Sequence, residues 1–309
     1  MARRNNCRLR WPAVNRGLAV LPGLVLIAAS TVASTMVNAG DDLLEVGRGA
    51  KLIGPPAATK EITVVSYNIR WRTGDDLKQI GDWLKKKQAS IIALQEIDRA
   101  RERTQRTNNA RVLADQLGMY YAWTAPPPVS VTDEEETGVE LLSSYPLSDV
   151  KRIVLPDKGP GGRSRVALGA TIRIGKTSLR VYSVHAENRM PEAQKVAQLQ
   201  AVLDDLARFP KTTPAIVMGD FNSWEPAMVD RVRELFTRGG WETPFKDEQT
   251  FQRKIVVFNL SLKLDWIWLR GLSSRSYGVD RSITVSDHFP LWTTVDSSRF
   301  SEVASEARP

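Results

Sequence analysis

The chain has 309 residues, 42% hydrophobic and 25% charged, the balance of a globular protein with length for one large domain or two ordinary ones. Its net charge of +8 falls to +3 once the five arginines of residues 1–39 are set aside, so charge alone does not argue for a polyanionic partner. The only cysteine, Cys7, lies in that leader, which excludes a disulfide framework and a cysteine metal site in the remainder.

Residues 1–39 have the physics of an export signal. An arginine-rich start precedes an uncharged run from Gly17 to Val37, and Val37-Asn38-Ala39 offers slim residues to a signal peptidase. The same run is long enough to span a bilayer as an uncleaved anchor, and an organelle transit peptide is a third reading. The domain is expected outside the cytoplasm, either exported (periplasmic or extracellular) or held at a membrane by its N-terminus. Residues 40–60 lack periodicity and read as a linker.

Strand and helix signals then alternate through 61–296. Strands are predicted at Ile62–Ile69, Ser90–Ile97, Met119–Thr124, Val139–Ser143 and Lys151–Leu155. Helices are predicted at Asp75–Ala89 and Asn109–Leu117, the second stopped by Gly118. Two alternating runs, Arg165–Ile174 and Ser178–Val184, flank Gly175-Lys176-Thr177 and read as a hairpin. A helix at Pro191–Phe209, a buried strand at Pro214–Met218, a helix at Glu225–Arg238, and strands at Leu264–Leu269 and Asp287–Val295 follow. The tail 297–309 is polar and expected to fray. Early βαβ segments followed by strand pairs point to one α/β domain of two packed sheets with helices outside.

Several apolar strands end in polar residues. These are Asn68, Gln95-Glu96, His185, Gly219-Asp220-Phe221-Asn222, Asp265 and Asp287-His288. At one site, turn chemistry explains such a residue. Across six sites that explanation weakens, because carboxylates and imidazoles beside apolar strands are costly unless paired or bound to a cation. Strands lying side by side would bring these ends to one rim. Glu96, Asp220 and Asp287 with Asn68 and Asn222 offer hard oxygen ligands, which favours Mg²⁺, with Mn²⁺ or Ca²⁺ as alternatives, over zinc. Two imidazoles add donors to a phosphoryl oxygen or a base for water. The set points to metal-assisted attack of water on a phosphate ester. No P-loop and no nucleophile-elbow motif is present.

The ordered motifs SYNI, LQEID, SVH, GDFN, LDWI and SDHFP resemble those of the endonuclease/exonuclease/phosphatase superfamily over roughly Glu61–Val295. The resemblance implies a four-layer α/β sandwich, with two mixed sheets face to face and helices outside. It also implies that Asn68, Glu96 and Asp287 serve the metal, with Glu96 as the central ligand. His185 matches a histidine that contacts phosphate, read here as cationic. Asp220 and Asn222 match the pair that activates water and binds a phosphate oxygen. Asp265 matches the acid that pairs with the last histidine, His288. Either Asp220 or His288 matches the base, and either one metal or two.

The substrate is less legible. The arginine-bearing loop Arg99–Arg106, with Arg103 and Arg106, follows the metal glutamate, and Arg163 and Arg165 stand in a second loop. Both are candidate phosphate contacts. A nucleic acid and a phospholipid headgroup are the two phosphodiester substrates considered, and the chain is expected to act as a monomer. A catalytically inactive binding scaffold is the reading from a different class.

Overall fold

The computed structural model describes residues 43–54, 61–129, 136–256 and 258–296. The leader 1–39, read as a signal or anchor, and the tail from 297 lie outside the described residues. Among those described, no helix is long and apolar enough to cross a membrane.

Strand β1 (Leu44–Arg48) lies in the segment read as a linker. It pairs antiparallel with β4 (Tyr120–Thr124) as a sheet edge. Its alternation is only five residues long, too short to stand out against the neighbouring glycines and charges. Strand β2 (Glu61–Asn68) is followed by helix α1 (Gly74–Lys86) and strand β3 (Ala89–Arg99). Helix α1 turns Leu77, Ile80, Trp83 and Leu84 inward, with Asp75 and Asp76 in its first turn and Lys85 and Lys86 in its last. Those charges complement the helix dipole. The helix ends before Ala89, which already belongs to β3, so the predicted helix is too long. Helix α2 (Asn109–Leu117) spans the residues predicted. The Asn108 side chain accepts a hydrogen bond from the Arg111 amide at 3.1 Å, and Gly118 caps the other end at φ 65°.

Strands β5 (Glu136–Ser143), β6 (Leu147–Val154), β7 (Val166–Ile174) and β8 (Thr177–His185) follow. The β7–β8 hairpin pairs Ile174 with Thr177 around Gly175-Lys176. Then come α3 (Glu192–Leu206), β9 (Ala215–Asp220), α4 (Pro226–Arg238), β10 (Phe251–Ile255), β11 (Phe258–Leu262), β12 (Asp265–Arg270), β13 (Ser274–Val279) and β14 (Leu291–Asp296).

Seven strands form one mixed sheet in the order β1-β4-β5-β3-β2-β14-β13, and five form a second, β12-β9-β8-β7-β6. The pairs β2–β3 and β8–β9 are parallel and the others antiparallel. Three apolar clusters define four layers. The first joins facing residues of the two sheets, among them Val64, Ala93 and Leu141 against Leu168, Val181 and Met218. The second packs α1 and α2 on the seven-stranded sheet, and the third packs α3 and α4 on the five-stranded sheet. The fold is therefore the layered α/β sandwich expected. The residues Asp287–Pro290, predicted as strand, precede β14. Strands β10, β11 and β13 were not predicted, because they are largely exposed and lack a buried alternating face.

One core residue conflicts with its surroundings. Glu140 on β5 is fully buried, and neither carboxylate oxygen has a hydrogen-bond partner. Burial, reinforced by the Glu45 carboxylate, pushes its pKa well above the ordinary value of 4.5. A carboxyl held neutral in the fold stabilises it fully below the unfolded value, and that contribution is lost as pH rises above it. Glu140→Leu is therefore expected to raise stability at pH 7 by about 1–3 kcal/mol, and by less at pH 4. Thermal melts of both proteins across pH check this.

Candidate active site

The site is built where strands of the two sheets end together. On the five-stranded sheet, β8 pairs His185 with Asp220 of β9, and β9 pairs Asp220 with Asp265 of β12. Three polar residues on three adjacent strands thus stand at one level. Gly219 makes this approach feasible. At φ 146° a side chain there would lie 2.0 Å from the Val184 carbonyl oxygen, closing the gap between β8 and β9. The apolar run Ala215–Met218 is buried between neighbours, and the strand continues through Gly219 and Asp220 before it leaves the sheet inside GDFN.

On the seven-stranded sheet, β2 ends at Asn68 beside Gln95 of β3. Glu96 is the extra residue of a β-bulge between Gln95 and Ile97, at φ 57°. The bulge turns its side chain out of the strand alternation and onto the rim. The Asn68 amide then joins the two sheets, donating to Glu96 Oε1 at 3.1 Å and to Asp220 Oδ2 at 3.0 Å.

Asp220 is the centre of the arrangement. Its Oδ1 accepts the Asn222 backbone N–H at 2.9 Å. Its Oδ2 lies 3.7 Å from His185 Nε2 and 3.8 Å from His288 Nε2. The other face of His288 is fixed by Asp265, whose Oδ2 is 2.8 Å from Nδ1. Thr250 donates to the same Asp265 oxygen at 2.7 Å. Burial works against a charged ring at His288, but the Asp265 and Asp220 carboxylates outweigh it and raise its pKa. Burial also raises Asp220, opposed by the His288 charge. His185 goes the other way: burial, then the Arg165, His288 and Arg163 charges, pull it well below its ordinary value. These influences favour the neutral ring, against the cationic His185 expected.

Asp287 forms an ion pair with Arg70 at 3.0 Å. The Asn222 side-chain amide donates to the Ala186 carbonyl at 2.9 Å, so it braces the loop after β8. Glu96, His185, Asp220, Asn222, Asp287 and His288 all line one cleft of about 800 Å³. Arg165 also lines it. Its guanidinium donates to Glu187 at 2.9 Å and lies 3.4 Å from both His185 ring nitrogens. Arg163 lines only a small adjoining recess with His185. Arg103 and Arg106 do not line the cleft. Arg103 is held by Asp98 at 2.7 and 2.9 Å and by Thr137, and covers the Trp71 ring at 4.3 Å. A buried carboxylate on the same bulged strand claims it, which sequence spacing could not reveal.

Arg70, Trp71, Lys195 and Trp224 line the cleft without having been anticipated. Arg70 and Trp71 follow Asn68 after one intervening residue, Ile69, so a strand-end reading extended by three residues would have reached them. Lys195 is buried on α3 and donates to the Asn222 carbonyl at 3.1 Å.

The donor chemistry fits a divalent cation. Asp220, Asp265 and His288 present donor atoms within 4.8 Å of one another. Glu96 Oε2 is buried in the cleft with no hydrogen-bond partner, a bare hard oxygen of the kind Mg²⁺ or Mn²⁺ takes.

Residues 65–288 match the model of the endonuclease/exonuclease/phosphatase family. The chain belongs to the endonuclease/exonuclease/phosphatase family. Among curated proteins it is similar to the uncharacterized protein YbhP of Escherichia coli (strain K12), 28% identical over 232 residues, covering 70% of this chain and 86% of that one. Among solved structures it resembles a family member from Leptotrichia buccalis, with TM-score 0.61 at 18% identity, covering 76% of this chain and 99% of that one. It also resembles D. rerio TDP2 in complex with a single-strand DNA product, with TM-score 0.58 at 17% identity, covering 77% and 99%. Family membership and the Asp220–Asp265–His288 cluster together support metal-dependent phosphoesterase chemistry.

Proposed function

We propose that the chain is a divalent-metal-dependent phosphodiesterase that cleaves its substrate by in-line attack of water. The observation that carries this is the convergence of Glu96, Asp220 and His288 from both sheets on one cleft, with buried Asn68 hydrogen-bonded to Glu96 and Asp220. Glu96 and Asp287 are proposed to hold the ion, which when bound polarises the phosphoryl oxygens and offsets their charge, while Asn68, expected as a third ligand, orients Glu96 through its amide because its own oxygen accepts the Arg70 N–H.

The chain's own groups supply the rest. Asp220 is positioned by Asn68 and the Asn222 amide, and takes a proton from the attacking water. Asp265 holds the His288 ring with Nδ1 protonated, which leaves Nε2–H to face the charge that builds on the phosphoryl oxygens. His185 and Arg165 complete the wall on the β8 side. The water oxygen bonds to phosphorus, the bond to the departing oxygen breaks, that oxygen takes a proton from solvent and leaves as an alcohol, and Asp220 returns its proton to solvent. The products are a phosphomonoester and an alcohol.

A binding scaffold with a silent site is disfavoured by Glu96. Its Oε2 is buried in the cleft without a hydrogen-bond partner, a costly placement that a bound cation would offset.

The test uses the purified chain with Mn²⁺ or Mg²⁺. Bis-p-nitrophenyl phosphate is expected to turn over faster than p-nitrophenyl phosphate, with label from ¹⁸O-water appearing once in the phosphomonoester. Preference for the monoester, or no turnover of either, contradicts the reading.

A further inference from the structure

Strands β10 and β11 form a two-stranded ribbon that belongs to neither main sheet. Its register pairs Ile255 with Phe258, a sequence spacing that calls for a tight hairpin turn. Such a turn favours Asn-Gly or Asp-Gly, because its backbone enters the left-handed region. Here Val256 occupies that region at φ 53°, a poor choice for a β-branched residue. Val256 is 84% exposed and Phe258 74% exposed. Ile255 and Leu260 are exposed beside them, and Trp224 is exposed on another wall of the same cleft. Neither backbone preference nor core packing accounts for an apolar tip in water.

The ribbon is rooted in the site. The Gln252 N–H donates to the Asp287 carbonyl at 2.8 Å, and Phe251 stacks edge-on against the His288 ring at 5.0 Å between centroids. Arg253 lines the cleft, and it and Lys254 are exposed on the strand that leads to the apolar tip. The order from tip to root is therefore apolar residues, then cations, then the site.

We propose that the β10–β11 ribbon docks on the surface of an anionic phospholipid bilayer and brings a headgroup phosphodiester to the cleft. This rests on the phosphodiesterase reading above and names its substrate class. The apolar tip would enter the acyl boundary, and Arg253 and Lys254 would meet headgroup phosphates and anionic lipid charge. A single-stranded nucleic acid fits this tip less well, since Ile255, Val256 and Leu260 have no ring on which a base could stack and Phe258 is the one aromatic residue among these four.

The experiment compares the full chain with the double variant Val256→Asn/Phe258→Ser. Both positions are exposed, and asparagine suits the turn backbone better than valine, so the variant is expected to melt no lower than wild type. Vesicles of phosphatidylcholine with and without phosphatidylglycerol are sedimented with each protein. Wild type is expected to bind the phosphatidylglycerol vesicles, and the variant at least about tenfold more weakly. Hydrolysis of vesicle phospholipid should fall in step, while soluble bis-p-nitrophenyl phosphate turnover stays unchanged. If wild type turns over the soluble diester but ignores vesicles, the docking inference fails and the phosphodiesterase reading stands. Failure on the soluble diester itself counts against that reading instead. Equal vesicle binding by both proteins overturns the role of the tip. So does a tip-dependent dimer without vesicle binding, or a loss confined to cleavage of DNA or RNA.

Discussion

Asp265→Asn is expected to lower kcat by roughly 10²–10⁴-fold and to change the pH profile of what remains. The reason lies in the buried row Thr250, Asp265, His288. Asp265 fixes the imidazole with Nδ1 as donor, and its charge helps hold the ring protonated. An asparagine amide can turn its NH₂ toward Nδ1, which reverses the donor, and it removes the charge in either orientation. His288 would then lose its proton at lower pH. Wild-type activity that depends on cationic His288 should persist above neutrality, and the activity of the variant should decline as pH rises through it. Stability follows the same sign. A histidine with a raised folded pKa contributes fully below its unfolded value and less as pH rises through the folded one. The variant should therefore lose stability relative to wild type at pH 6, and the gap should narrow in alkaline buffer. Rate–pH profiles and melts of both proteins check this. A variant with reduced kcat but an unshifted profile would assign Asp265 to packing alone.

Glu96→Gln is expected to reduce metal-dependent turnover by at least about 10³-fold while leaving the fold intact. Glutamine keeps the oxygen that accepts from Asn68 and occupies the same bulge, so the apo melt should barely move. It removes the negative charge and replaces one carboxylate oxygen with an NH₂ that cannot ligate. The second readout is independent of catalysis. A cation that binds only the folded state stabilises it by about 2.7 kcal/mol at a hundredfold excess over Kd. Mn²⁺ should raise the melting temperature of wild type and leave Glu96→Gln unmoved. Equal stabilisation of both proteins would remove Glu96 from the metal site.

Much of this was legible before the structure, and the exceptions have physical causes. Buried strands such as Ala215–Asp220 announce themselves as apolar runs, and the polar residue that ends this one, Asp220, lines the cleft. Helix α2 was readable to the residue because Asn108 and Gly118 punctuate it. Parallel pairing placed His185 beside Asp220, and antiparallel pairing placed Asp220 beside Asp265; the sequence contains the residues but not this register. Glu96 needed a bulge that no local pattern reveals. Arg103 looked like a phosphate ligand only until the buried Asp98 was seen to hold it. The β10–β11 ribbon escaped notice because exposed strands carry no burial period, and the same exposure is what makes its apolar tip informative.

The central claim is that strand ends from two sheets assemble one divalent-cation site around Glu96. Calorimetric titration of Mn²⁺ into the purified chain tests it most directly. Wild type and Val256→Asn/Phe258→Ser should show the same saturable binding, and Glu96→Gln should show none. Binding of equal affinity in wild type and Glu96→Gln would contradict the account.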